Sequence, residues 1–128
     1  MNNGTKEWVE FAERDYEASL LLAESHNPPF EIIAYHCQQT VEKYLKALLI
    51  ENDLQVPFIH DLGKLNSECM KILPELSKIQ NICERLTPFG TVTRYPGSSM
   101  KVGSEHLPLV LSWTQKIRNV VRKQLKLF

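Results

Sequence analysis

Apolar positions recur along the chain at the three- and four-residue spacing of amphipathic helices. The pattern predicts a first helix from an N-cap at Thr5 to about Ser25. Its apolar positions are Trp8, Phe11, Ala12, Tyr16, Leu20, Leu22 and Ala23. Two prolines then break the pattern, and the longest helix is predicted from about Phe30 to Asn52.

Three further helices are predicted after these two. Asp61 is placed to cap a third helix, and Pro74 ends that helix and opens a fourth that reaches about Thr87. The stretch 90–104 loses the apolar period and is predicted to be a long surface loop. A last helix is predicted over 105–127, with an apolar face of Leu109, Val110, Trp113, Ile117, Val120 and Val121. The sequence thus predicts an all-α, up-and-down helical bundle of about five helices.

Size and charge limit what the chain can be. With 128 residues and 43% hydrophobic content, one core and a single domain over 1–128 are expected. The 15 basic and 15 acidic residues cancel, so no overall charge attracts the protein to nucleic acid or to a membrane. Any such binding has to come from a local patch.

The cysteines and the motifs present favour a protein without metal or cofactor. Cys37, Cys69 and Cys83 form no CxxC pair, and an odd number of cysteines without metal spacing fits a reducing cytoplasm. The sequence has no secretory pattern, no run of apolar residues long enough for a membrane span, and no glycine-rich phosphate loop or HExxH motif. We therefore expect a cytoplasmic protein with no cofactor and no metal.

Polar residues interrupt the apolar side of the longest helix. Gln38, Glu42 and Lys46 recur every four residues there, and an unpartnered polar group facing a core costs on the order of 1–3 kcal/mol. One interpretation is a polar binding pocket. The favoured one is a buried structural network in which Glu42 accepts a hydrogen bond from Arg94 or Tyr95 and so holds the long loop on the bundle.

The last helix carries the one cluster of like charge in the sequence. No acidic residue follows Glu105, and the cations opposite the apolar face are Lys116, Arg118, Arg122, Lys123 and Lys126. This face is predicted to track the phosphates of RNA or a nucleotide, with help from the loop. The binding residues so predicted are Arg94, Tyr95, Lys101, Arg118, Arg122 and Lys126. The alternative, which we favour slightly, is charge complementarity with the acid-rich first helix, or a solvated face.

Four pieces of the sequence together carry a family resemblance. They are Trp8, Ala12, Asp15 and Ala18; Gln38-Gln39-x-x-Glu42-Lys43-x-x-Lys46-Ala47-Leu48; His60-Asp61-Leu62; and Arg94-Tyr95-Pro96. In this order the chain resembles the HEPN family of small helical prokaryotic domains. The resemblance implies an up-and-down bundle that commonly dimerises. Members are often encoded beside a small nucleotidyltransferase in toxin-antitoxin and defence settings, and several are ribonucleases.

The chain departs from the nuclease members of that family. Those members carry an Arg followed, after four to six residues, by a His, whereas the first His after Arg94 is His106, beyond that reach. This departure argues against inherited nuclease activity. Because folding can still bring Arg94 near His60 or His106, a divergent metal-independent ribonuclease stays open as an alternative. His26 and His36 are expected to lie in solvent.

The sequence is therefore consistent with three functions. The first is a homodimeric, non-catalytic domain that contacts nucleotide or RNA and acts as the partner of a separate nucleotidyltransferase. The second is the divergent ribonuclease, and the third is a purely structural interaction module. The first is favoured, mainly on the resemblance.

Overall fold

The structure is a computed structural model that describes residues 1–90, 96–97 and 101–127. It contains five α-helices: α1 (Asn3–Ala23), α2 (Phe30–Glu51), α3 (Leu62–Met70), α4 (Gln80–Leu86) and α5 (Leu107–Gln124). Two short 3₁₀ helices, Pro74–Ile79 and Thr87–Phe89, flank α4. Within these ranges there is no β-strand, and the prediction of an all-helical bundle is confirmed.

Helix α2 is the centre of the bundle, because α1, α3 and α5 all pack against it. Thirteen of its 22 residues are buried, among them Ile33, Val41, Leu45 and Leu48. Full burial of each such side chain contributes roughly 1.5–3 kcal/mol to stability. A helix enclosed to this extent has little surface left for its polar residues.

The start of α1 is set by Asn2 and not by Thr5, so the predicted cap was wrong. The side-chain oxygen of Asn2 accepts a hydrogen bond from the Thr5 backbone N–H at 2.7 Å. The Asn2 backbone N–H donates to Glu51 Oε1 at 3.1 Å, which ties the first turn of α1 to the last turn of α2. Thr5 is consequently buried inside the helix.

The predicted fourth helix is divided into three pieces. Asp61 caps α3 as expected, since its carboxylate accepts from the Lys64 backbone N–H at 3.1 Å. Pro74, however, opens a 3₁₀ helix, and the buried Asn66 holds this helix by donating to the Leu76 carbonyl at 2.9 Å. The last helix also starts later than predicted, at Leu107.

Several apolar residues lie outside the core that the helical period assigned to them. Phe11 is 49% exposed, Leu20 42% and Leu109 50%, while Trp8 and Trp113 are only half-buried. The helical spacing of apolar residues predicted where each apolar face lies but overestimated how many of its residues are buried. Phe11 and Trp8 share one side of α1.

The three cysteines are free and buried. Burial raises the pKa of the Cys69 and Cys83 thiols to about 12, so both are protonated and unreactive at neutral pH. No helix in the described part of the chain is long and apolar enough to cross a membrane.

Candidate functional site

The buried carboxylate of Glu42 organises a polar cluster at the side of α2. Glu42 is 4% exposed. Lys46 Nζ donates to its Oε2 at 2.9 Å, and His60 Nδ1 lies 3.0 Å from Oε1 and 3.1 Å from Oε2. The Gln38 amide contributes a longer contact of 3.4 Å to Oε1. We call these four residues the Glu42 network.

Gln38 connects the Glu42 network to the segment before α3 and packs against Gly90. Its amide nitrogen donates to the His60 carbonyl at 3.0 Å, and its amide oxygen accepts from Gln39 at 3.0 Å. Gly90, at the end of the 3₁₀ helix Thr87–Phe89, lies directly against this amide, since a Cβ at that position would sit 2.7 Å from the Gln38 amide carbon. Only glycine permits this close approach without displacing Gln38.

His60 is the member of the network that reaches solvent, with 69% of its side chain exposed. A ring nitrogen that faces a carboxylate carries a proton, so in the neutral ring Nδ1 is the donor and Nε2 keeps its lone pair. The carboxylate also fixes the orientation of the ring. Chemically, this arrangement can accept a proton from a bound hydroxyl at Nε2 or return one.

The interaction predicted for Glu42 was with Arg94 or Tyr95, and both residues lie outside the described residues. The polar trio Gln38, Glu42 and Lys46 does form one connected cluster. Sequence reasoning did not anticipate His60 as the further member, although an unpaired carboxylate on the apolar side was a signal that one was required.

A second cluster joins α1, α2 and α5. The Glu13 carboxylate accepts two hydrogen bonds from the Arg118 guanidinium, at 2.7 and 2.5 Å, and a third from the Tyr44 hydroxyl at 2.6 Å. Arg122 donates to the Tyr44 oxygen at 3.1 Å, and the Arg118 guanidinium also stacks 4.6 Å from the ring centre of Tyr16. We call the set centred on Glu13 the Glu13 cluster.

The Glu13 cluster shifts the pKa values of its members. The hydrogen bond from Arg118 holds the pKa of Glu13 below its usual value, although partial burial opposes this. The same hydrogen bond raises the pKa of Arg118 further above its ordinary value. Burial raises the pKa of Tyr44 to about 12, and its hydrogen bond to the Glu13 carboxylate adds to the rise.

The basic side of α5 forms a shallow groove of about 460 Å³, lined by Arg118, Asn119, Arg122, Lys123 and Leu127. Two of its cations, Arg118 and Arg122, are held by the Glu13 cluster and are half-buried. Lys123 is exposed, as are Lys116, Lys126 and the loop residue Lys101. With three cations and no acid in its lining, the groove suits an anionic group such as a phosphate.

The remaining histidines occupy different settings. His36 was expected in solvent, but its Nδ1 lies 2.8 Å from Asp15 Oδ1, so that prediction was wrong. Lys43 Nζ pairs with the other oxygen of the same carboxylate. His106 Nδ1 accepts from the Gly103 backbone N–H at 3.0 Å, which occupies that nitrogen with a structural contact.

The fold and the two clusters define a small helical domain with a buried carboxylate network beside α2 and a basic groove on α5. The chain belongs to the HEPN domain family, whose model matches residues 5–124. This family has nucleotide- and RNA-related roles. No curated protein and no solved structure matches the chain.

The Glu42–Lys46 pair is expected to be strongly coupled. Removing one partner of a buried ion pair costs about 3–5 kcal/mol because the other charge stays buried alone. Glu42→Leu should destabilise the protein by roughly this amount, Lys46→Met by less because His60 and Gln38 still contact the Glu42 carboxylate, and the double variant by much less than the sum. Urea unfolding of the four proteins measures the coupling. The exposed pair Glu68 and Lys71 is the control and should give near-additive, small effects; additivity at Glu42 would contradict the pairing.

Tyr44 should make stability fall at alkaline pH. Because its folded pKa of about 12 exceeds the ordinary value of about 10, its contribution is complete below pH 10 and is lost as the pH rises toward 12. Tyr44→Phe removes this titration. The difference in unfolding free energy between the wild type and Tyr44→Phe should therefore shrink above about pH 10. A difference that stays constant through this range would rule out the shift.

Proposed function

We propose that this chain is a HEPN domain that contacts the phosphate groups of RNA or a nucleotide through the groove on α5. The observation that carries the proposal is the composition of that groove, which has three cations and no carboxylate in its lining. The overall charge is zero, so this local patch is what distinguishes the surface from that of an ordinary soluble domain.

The Glu13 cluster supports binding as well as stability. Arg118 and Arg122 are fixed from behind by Glu13 and Tyr44, which reduces the entropy that these long side chains lose when they meet a phosphate. One carboxylate offsets only one of the two guanidinium charges, so the groove keeps a positive charge to which Lys123 and Lys126 add.

The proposed setting is a homodimer in the cytoplasm that acts beside a separate nucleotidyltransferase. This part of the proposal rests on the family resemblance and on the roles of the family. Arg94, Tyr95 and Lys101 remain proposed contributors to the binding surface. The structure describes only Lys101 of these three, and its side chain is exposed.

The test is the salt dependence of binding to a fluorescently labelled single-stranded RNA, measured by anisotropy. Each phosphate contact contributes about 0.7 to the slope of log affinity against log salt. The double variant Lys123→Gln, Lys126→Gln should bind more weakly and reduce the slope by about 1.4.

The matched control is Lys64→Gln, Lys71→Gln, which removes two exposed lysines, one in α3 and one at its C-terminal end. It should leave the slope unchanged. A wild type that binds without salt dependence, or equal losses in the two double variants, would refute the groove.

A second candidate function is a metal-independent ribonuclease, favoured by one observation: the exposed His60 ring is oriented by the buried Glu42 carboxylate. Such a ring can take the proton of a ribose 2′-hydroxyl. The non-catalytic function takes precedence because the sequence lacks the spacing of Arg and His found in nuclease members.

We expect the purified protein not to cleave single-stranded RNA in the presence of EDTA. Wild type, His60→Gln and His26→Gln, prepared identically, separate real activity from contaminating nuclease. His26 is an exposed residue and serves as the control. Cleavage by the wild type and His26→Gln that disappears in His60→Gln would establish the ribonuclease in place of the non-catalytic function.

A further inference from the structure

A small cleft lies between α1 and α2. Its volume is about 270 Å³, and its lining consists of Glu7, Trp8, Phe11 and Lys43. Trp8 and Phe11 are three residues apart on α1, so their rings project from the same side of the helix. We call this the aromatic cleft.

The two aromatic rings are unusual for a helix surface. Phe11 is 49% exposed and Trp8 is only half-buried, although large aromatic side chains contribute most when they are fully enclosed. An aromatic pair with one exposed ring, beside cations, is the composition of sites that stack unpaired nucleobases. Trp8 packs against the core of the bundle, but core packing does not explain the exposed Phe11 ring.

Cations surround the rings but are largely neutralised. Lys43 Nζ lies 5.9 Å from the Phe11 ring centre and pairs with Asp15, and Lys46 Nζ lies 5.7 Å from the Trp8 ring centre and pairs with Glu42. Glu7 adds a carboxylate to the lining. A phosphate would gain little electrostatic stabilisation from lysines that are already paired with carboxylates. The uncharged planar ring of a nucleobase can instead stack on the aromatic side chains.

The exposed Arg14 supplies the charge that a nucleotide needs next to its base. Its guanidinium lies 5.0 Å from the centre of the Phe11 ring and makes no ion pair with another described residue. The Arg14 guanidinium can therefore contact the phosphate of a nucleotide whose base occupies the cleft.

We infer that the aromatic cleft is a nucleobase-binding subsite, in which Phe11 and Trp8 stack one unpaired base of a single-stranded RNA. This inference rests on the proposed function, because it assigns the base to the aromatic cleft and leaves the main phosphate contacts on α5. The two sites differ in chemistry, so they can be tested separately.

The experiment compares two labelled probes of equal length and charge, a short oligoadenylate and its abasic counterpart. Loss of one stacking contact typically weakens binding about ten-fold. Phe11→Ala should weaken oligoadenylate binding by about this factor and leave abasic binding unchanged, and Phe11→Tyr should restore it. Leu21→Ala, at a 64% exposed position on the same helix, is the matched control and should behave as wild type.

The other outcomes overturn the inference in distinguishable ways. Phe11→Ala without effect on either probe, or with equal effect on both, eliminates base stacking in the cleft. A lower sedimentation mass of free Phe11→Ala would assign the exposed ring to an interface between two copies of the chain. The double lysine variant should weaken both probes, and its failure to do so overturns the proposed function and leaves the result at Phe11 intact.

Discussion

The enclosure of α2 on three sides is the constraint on which the rest of the structure depends. A helix packed against α1, α3 and α5 has to bury polar residues, and Glu42 and Lys46 are the two ionisable residues of an ion pair that it buries with almost no access to water. The buried Glu42 carboxylate needs hydrogen-bond donors, and Lys46, His60 and Gln38 provide them. The position of the loop that precedes α3 follows from this requirement, because His60 lies on that loop.

Much of the fold could be predicted because helix formation depends on local sequence. The five helices, the cap at Asp61 and the break at the proline pair were all visible in the spacing of apolar and turn residues. The start of α1 was not, since Asn2 and Thr5 are both good caps and a contact with the distant Glu51 accompanies the one that is used. The division of the fourth helix likewise depends on packing against Asn66.

The candidate site was predictable only in part. The trio in α2 and the cations of α5 are patterns within single helices, so their grouping could be read from the sequence. Which residue meets which across the bundle could not, because the pairing of His36 with Asp15, and of His60 with Glu42, depends on how the helices pack and where the loops run. Helical spacing predicts the face of the helix on which a residue lies, but it does not predict which residue of another helix or loop it will contact.

The hydrogen bonds between Glu13 and Arg118 span 105 positions of the chain. The hydrogen bonds between α1 and α2 span 21 to 49 positions. The contact between Glu13 and Arg118 closes a loop more than twice as long, and such closures come late in folding. During synthesis, Glu13 and Tyr44 leave the ribosome long before the arginine that they bind. Completion of the bundle is therefore tied to the synthesis of α5, so a chain interrupted before that helix would expose the face of α2 that α5 covers.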